Sequence, residues 1–91
     1  MKHRIEFTRL DEPYSLGWKG WADVIRVTVD GTPIGVLRGE GETKRDLTYK
    51  FNPEIEPLGQ KVSALSSRIF WYGSAKAKRG LRELIAKAMG E

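Results

Sequence analysis

The sequence predicts an α+β domain, an antiparallel meander of about four strands covered on one face by one or two C-terminal helices. Two observations indicate this fold class. The segment DVIRVTVDGTPIGVLR has two alternating strands around an Asp-Gly step, which is typical of a β-hairpin. The segment 74–89 repeats its aliphatic residues at helical spacing. A chain of 91 residues is expected to form a single domain, residues 1–91.

The hairpin is predicted to pair strands at about 22–30 and 32–38. Asp30 and Gly31 can adopt the positive φ angles that a two-residue turn requires. This turn length sets the cross-strand register. The predicted pairs are Val29 with Thr32, Val27 with Ile34, Ile25 with Val36, and Asp23 with Arg38. The apolar partners would then share one face, and the last pair would join opposite charges.

Two further strands complete the predicted sheet. One lies at about 4–9, where Ile5 and Phe7 alternate with polar residues. The other lies at about 45–51, where three apolar residues, Leu47, Tyr49 and Phe51, alternate with polar ones. The intervening segment DEPYSLGWKGW is a predicted loop, because it contains one proline and two glycines.

The segment 58–71 is a predicted helix, with Pro57 suited to the first helical position. Its apolar residues recur at steps of four, three and four, at Leu58, Val62, Leu65 and Ile69. The end of the segment, SRIFWY, could instead form a strand, and the length of the stripe favours the helix. Gly73 would end this helix in a left-handed conformation, and Ser74 would cap the next one.

The final helix, predicted at 74–89, is amphipathic. One arc carries its apolar residues, Ala77, Leu81, Leu84, Ile85, Ala88 and Met89. We expect this arc to cover the hairpin face formed by Ile25, Val27, Ile34 and Val36. Gly80 in the helix interior suggests a close approach by a backbone or a partner. Glu83 precedes Lys87 by four residues, a spacing that favours an ion pair.

The basic residues are distributed unevenly. Residues 60–91 contain seven Lys or Arg against two Asp or Glu, whereas residues 1–59 contain nine against ten. The net charge of +4 therefore comes from the last third of the chain. Such asymmetry suggests an anionic partner.

Composition excludes several classes of protein. The chain has no cysteine, so disulfide frameworks and cysteine-rich zinc sites are excluded. Its longest apolar run, IFWY at 69–72, is far shorter than the roughly 20 residues that span a bilayer. The beginning of the chain does not resemble a signal peptide. We therefore expect a cytoplasmic protein without a membrane partner.

Enzymatic chemistry has little support in the sequence. His3 is the only histidine and lies near the terminus, where a surface role is expected. No serine lies in a GxSxG or SxxK pattern. Glu40 and Glu42 flank a glycine in a polar connection, which is a common arrangement without chemistry. We expect a non-enzymatic protein without a catalytic residue, cofactor or metal.

The leading functional prediction is nucleic-acid binding through the basic side of the final helix. These cations would contact phosphates of DNA or RNA without reading sequence, since no Asn or Gln stands at a base-reading position. The predicted contact residues are Arg68, Lys76, Lys78, Arg79, Arg82 and Lys87. The alternative is a solvated helix face that binds nothing.

Two other functions stay open. The aromatic loop, residues Tyr14–Trp21, could serve a protein-interaction or inhibitor module through Trp18, Lys19 and Trp21. Its indoles could also stack on unpaired bases, although we expect both to fold back onto the core. In a third reading, the IFWY segment forms the interface of a larger assembly. At least two of its aromatics, Phe70, Trp71 and Tyr72, are expected to be core residues, and the sequence leaves the oligomeric state open.

Overall fold

The fold is α+β, as the sequence predicts. A computed structural model describes residues 3–90. Within these residues the chain forms six strands, two α-helices and one short 3₁₀ helix at Gly17–Lys19. In chain order these are β1 (Ile5–Arg9), β2 (Tyr14–Ser15), β3 (Trp21–Val29), β4 (Thr32–Gly41), β5 (Thr48–Pro53), α1 (Pro57–Ser66), β6 (Trp71–Tyr72) and α2 (Ser74–Ala88).

All strands form one antiparallel sheet in the order β1-β3-β4-β5-β6. The short β2 pairs with the same strand as β1, since Tyr14 lies opposite Ala22 and Arg9 lies opposite Ile25. The short strand β2 was not predicted, and β6 lies in the SRIFWY segment, for which a strand was the alternative to the favoured helix. Both lie in segments rich in aromatic residues and glycine, where the alternating pattern is too short to indicate a strand.

The predicted hairpin is present, but its register is only partly correct. Val29 pairs with Thr32 as predicted, and then a β-bulge between Val27 and Thr28 shifts the pairing by one residue. Beyond the bulge Ile25 lies opposite Leu37, where the sequence had predicted Val36. A one-residue shift moves each following side chain to the other face of the sheet.

We call the sheet face that contacts both helices the inner face, and the opposite one the outer face. The bulge places Leu37 on the inner face, where it is fully buried. Val36 is displaced to the outer face and is only half-buried, so its predicted place in the core was wrong. The inner face and the helices share one apolar cluster, formed by Ile25, Val27, Val29, Ile34, Leu37, Leu47, Tyr49, Phe51, Val62, Ala77, Leu81 and Ile85.

The segment predicted as one helix at 58–71 is a helix followed by a strand. Pro57 is the first residue of α1, as predicted, and the Glu56 side chain accepts a hydrogen bond from the Gly59 N–H at this end. The helix ends at Ser66, and Trp71–Tyr72 then pair with β5 at the sheet edge. The predicted helix thus forms the first part of the segment, and the alternative strand forms at its end.

The three consecutive aromatics at β6 alternate between the two faces of the sheet. Trp71 packs against the core cluster, whereas Phe70 and Tyr72 are 56% and 75% exposed. The expectation that at least two of these three aromatics are core residues was therefore wrong. Alternation along a strand explains the difference, since neighbouring side chains point to opposite faces.

Helix α2 matches its predicted range closely. Gly73, with a φ of 92°, occupies the N-cap position that had been predicted for Ser74, and Ser74 is the first helical residue. At the other end Gly90 adopts a φ of 82°, as expected for a C-terminal cap. Among residues 3–90, no helix has the length and apolar character needed to cross a bilayer.

Candidate nucleic-acid interface

The apolar side of α2 is fully engaged with the rest of the fold. Ala77, Leu81 and Ile85 have no exposed surface and belong to the core cluster. Leu84, Ala88 and Met89 pack around them and are half-buried. The prediction that the aliphatic side of this helix covers the sheet is confirmed, and the opposite side is therefore directed toward solvent.

Three of the predicted contact residues lie on that solvent side. Lys76, Arg79 and Lys87 are exposed and fall within one arc of the helix at 100° per residue. Glu83 shares this arc as its single acidic residue. The predicted ion pair between Glu83 and Lys87 is not present among residues 3–90. We call this group of three cations the helix basic surface.

Lys78 and Arg82 lie on the flank of α2 that faces β1. The Lys78 Nζ is 6.0 Å from the centre of the Phe7 ring, and the Arg82 guanidinium carbon is 5.2 Å from it. These distances are in the range of cation–π contacts, which leave the charge available to an anion. The two flank cations therefore extend the helix basic surface toward the β1 edge.

Arg68 is exposed and lies outside both helices, in the turn between α1 and β6. It is thus placed by a different element from the other five predicted contact residues. Lys61, on α1, is exposed as well.

The ion pairs of the described chain all lie on the sheet or beside it. They join Arg4 to Glu6, Arg9 to Asp23, and Arg38 to Glu40, and the His3 ring is hydrogen-bonded to Asp30. Within residues 3–90, the seven cations that follow Gln60 form neither an ion pair nor a side-chain hydrogen bond. Their charge is therefore not neutralised by a neighbouring carboxylate in that part of the chain.

The aromatic loop directs its two indoles to different places. Trp18 is 92% exposed in the 3₁₀ helix, with the Lys19 Nζ 5.7 Å from its ring centre, so the expectation that it packs on the core was wrong. Trp21 is half-buried and packs against the core cluster, as expected. Its ring centre lies 5.7 Å from the Lys44 Nζ.

A buried polar cluster, Arg9–Asp23–Tyr49, was not predicted. The Asp23 side chain is fully buried and accepts two hydrogen bonds from the Arg9 guanidinium, at 3.0 and 2.9 Å. It accepts a third from the Tyr49 hydroxyl at 2.6 Å. The predicted pairing of Asp23 with Arg38 was wrong, because the bulge places Gly39 opposite Asp23 and turns Arg38 to the outer face.

The pKa values in this cluster follow from burial and hydrogen bonding. Burial alone would raise the pKa of Asp23, but the hydrogen bonds from Arg9 and Tyr49 outweigh it and lower the pKa below its ordinary value. Burial, together with the bond to Asp23, raises the pKa of Tyr49 to about 12. A carboxylate with satisfied hydrogen bonds and a phenol that keeps its proton have a structural role here.

The sequence contains a signal for this cluster. Asp23 is in phase with the buried residues Ile25, Val27 and Val29, so strand alternation alone places a carboxylate on the inner face. A buried charge requires partners, and Tyr49 on β5 lies on the same face.

The outer face also carries a group of charged and aromatic side chains that the prediction did not include. Arg38 pairs with Lys50 across β4 and β5, and Phe70 lies beside Lys50. These residues line an open cleft of about 330 Å³, together with Glu40, Thr48 and Asn52.

The remaining candidates for chemistry have structural surroundings. Glu40 accepts a hydrogen bond from Arg38 at 2.7 Å, and Glu42 is exposed. The His3 Nδ1 lies 2.7 Å from an Asp30 carboxylate oxygen at the hairpin turn. The Arg4 N–H and the His3 ring lower the pKa of Asp30. Among residues 3–90, no three His, Asp or Glu side chains are grouped in a way that could hold a metal ion.

Comparison of the chain with protein-family models, with curated proteins and with solved structures finds no match. The function is therefore inferred from the surfaces described above.

Proposed function

We propose that this chain is a small non-enzymatic accessory protein that binds nucleic acid through the helix basic surface. The observation that supports the proposal is that, among residues 3–90, none of the basic side chains of α2 is paired with a carboxylate. Cations held in such a row on a packed helix can replace the counterions around a phosphate backbone. The cytoplasm is the compartment that we propose for this activity.

The distribution of the cations indicates what kind of contact they make. Lys76, Arg79 and Lys87 lie on the solvent side, while Lys78 and Arg82 lie on the flank near Phe7. A surface this wide suits the backbone of DNA or RNA better than the edges of individual bases. It carries no amide side chain that could form the paired hydrogen bonds of base recognition. Binding is therefore expected to be electrostatic and independent of sequence.

The test is a titration with fluorescently labelled duplex DNA at several salt concentrations. We expect log affinity to fall linearly with log salt, and each lost phosphate contact to reduce the slope by about one. Arg79→Ala and Lys76→Ala should each show this reduction. Arg45→Ala removes the same charge from an exposed position in the loop between β4 and β5, and it should leave the slope unchanged.

Two results would contradict the proposal. One is the absence of binding by the unaltered chain at low salt. The other is an equal change of slope in Arg45→Ala and Arg79→Ala, because net charge rather than the helix basic surface would then explain the binding.

A second candidate function is protein interaction through the aromatic loop. The observation that favours it is the 92% exposure of Trp18, an aromatic that supplies no packing to the fold. Exposed Trp residues are frequent anchors of protein interfaces. A specific protein partner retained by the chain and by Arg79→Ala, but lost from Trp18→Ala, would support this function. Retention of every partner by Trp18→Ala would exclude it.

A further inference from the structure

The outer face of the sheet is left uncovered. Both helices pack on the inner face, and no element within residues 3–90 lies over the opposite side. Apart from the buried Ala22, the side chains of the central strands on the outer face are exposed or half-buried, among them Val24, Arg26, Val36, Arg38, Lys50 and Asn52. A sheet face of this size in a small domain is available to a ligand.

Cross-strand register arranges a basic row that ends in an aromatic ring. Val24, Arg38 and Lys50 are consecutive partners across β3, β4 and β5. The Lys50 Nζ lies 5.4 Å from the centre of the Phe70 ring, which closes the row at the sheet edge. The cleft of about 330 Å³ lies along this row. It combines cations, hydrogen-bonding side chains and an aromatic wall, which are the groups that phosphate, sugar and base require.

A second aromatic lies in the next row. Tyr72 is paired with Thr48, which itself lies opposite Glu40. Trp71, between the two exposed aromatics, is held on the inner face against α2. This anchoring directs Phe70 and Tyr72 outward together. Neither ring contributes to the core, so their exposed faces are available for stacking.

The charge of the outer face favours an anionic ligand. Its strand positions carry three cations, Arg26, Arg38 and Lys50, against two carboxylates, Glu6 and Glu40. Glu6 lies 3.6 Å from Arg4, and Glu40 is bound to Arg38. Lys50 and Arg26 form no ion pair within residues 3–90. The part of the face near the β6 edge, where Lys50 adjoins Phe70, is therefore positive.

We propose that this outer face binds single-stranded nucleic acid, with bases stacked on Phe70 and Tyr72 and phosphates held by Lys50, which forms no ion pair within residues 3–90. The aromatic rings favour a single strand, because a duplex keeps the faces of its bases covered. The positive charge disfavours a second copy of this chain, since a symmetric interface would oppose equal charges. The site goes beyond the proposed function, which uses α2 on the opposite side of the sheet.

The experiment compares two labelled probes by fluorescence anisotropy at low salt: an oligothymidine of about 12 nucleotides, and a duplex of equal length. Phe70→Ala and Tyr72→Ala should each weaken single-strand binding about ten-fold, the loss of one stacked base. Duplex binding should change by less than about two-fold in both variants. Ile55→Ala removes an exposed apolar side chain from the segment between β5 and α1 and should leave both affinities unchanged.

The outcomes separate this inference from the proposed function. If the unaltered chain binds neither probe, both fail. If it binds both probes, and Phe70→Ala and Tyr72→Ala bind the single strand as tightly as the unaltered chain, the outer-face site is overturned while the helix basic surface is retained. Phe70 and Tyr72 are exposed, so unchanged thermal unfolding of the variants confirms that any loss is local. A concentration-dependent mass that Phe70→Ala abolishes would overturn the site in favour of self-association.

Discussion

The indole of Trp71 lies directly against Gly80 of α2, so close that a Cβ at residue 80 would overlap the indole ring. This contact explains why a glycine stands in the interior of an otherwise strong helix. It also connects the two surfaces proposed to bind nucleic acid. The contact holds Trp71 on the inner face, so Phe70 and Tyr72 point outward. It also holds α2 against the sheet edge at β6.

Gly80→Ala tests this contact by setting two effects against each other. Alanine would stabilise the helix by about 1 kcal/mol through its higher propensity. The overlap with Trp71 forces the ring or the helix to shift, which typically costs about 1–3 kcal/mol. Because strand pairing with Tyr49 restrains Trp71, we expect the overlap to dominate and the free energy of unfolding in urea to fall by about 1 kcal/mol.

A double-mutant cycle provides the control for this prediction. In a Trp71→Leu background the overlap is absent, so Gly80→Ala should raise the free energy of unfolding by about 1 kcal/mol. An equal gain in both backgrounds would contradict the packing of Trp71 on Gly80.

Tyr49→Phe should destabilise the fold through the buried carboxylate of Asp23. The substitution keeps the ring in the core but removes the hydroxyl that donates to Asp23. An acceptor that loses a donor in a buried site typically costs about 1–3 kcal/mol. Tyr72→Phe removes the same group from an exposed ring and should change the free energy of unfolding by less than about 0.5 kcal/mol. Equal effects of the two substitutions would show that the hydrogen bond from Tyr49 to Asp23 adds no stability.

The same cluster predicts that stability depends on pH at both extremes. The pKa of Asp23 is lowered in the fold, so its contribution is present above the ordinary value of 3.8 and is lost as the pH falls below it. The pKa of Tyr49 is raised from 10.0 to about 12, so its contribution is present below pH 10 and is lost as the pH rises toward 12. The free energy of unfolding measured in urea should therefore fall both at acidic pH, through Asp23, and at alkaline pH, through Tyr49.

Tyr49→Phe supplies the control for the alkaline limb. The variant has no phenol at this site to ionise, so the loss contributed by Tyr49 should disappear while the acidic loss remains. If the free energy of unfolding of Tyr49→Phe fell at alkaline pH as much as that of the unaltered chain, other groups would be responsible for the fall.

Trp18→Phe should leave stability nearly unchanged and alter the quenching of fluorescence. Trp18 is almost fully exposed, whereas Trp21 and Trp71 are half-buried against the core. Iodide should therefore quench the unaltered chain strongly and the variant weakly, with melting temperatures that agree within about 2 °C. Strong quenching in Trp18→Phe would mean that the other two indoles are open to solvent.

The fold class, the hairpin and the orientation of α2 could be predicted because each depends on local pattern. The Asp30-Gly31 step specifies a turn, and the spacing of Leu81 and Ile85 specifies which side of a helix is buried. These signals are contained in short stretches of sequence. These predictions therefore do not depend on how the rest of the chain folds.

The register beyond Val27 could not be predicted, because a bulge depends on how β4 fits between two neighbours. The bulge also determines which residues lie at the candidate site. Relative to the predicted register, the bulge places Val36 and Arg38 on the outer face. Asp23 is therefore not paired with Arg38 and instead accepts hydrogen bonds from Arg9 and Tyr49. The candidate surface on the outer face was missed for this reason, and because the strand that orients Phe70 and Tyr72 has only two residues.

Titration of an isotope-labelled sample with oligothymidine at low salt, followed by amide NMR shifts, tests the central claim that this chain binds nucleic acid through the helix basic surface and the outer face. We predict saturable shifts at Arg79 and its neighbours on the helix basic surface, and at Lys50 and Phe70 on the outer face. The absence of shifts, or shifts confined to the aromatic loop at Tyr14–Trp21, would contradict it.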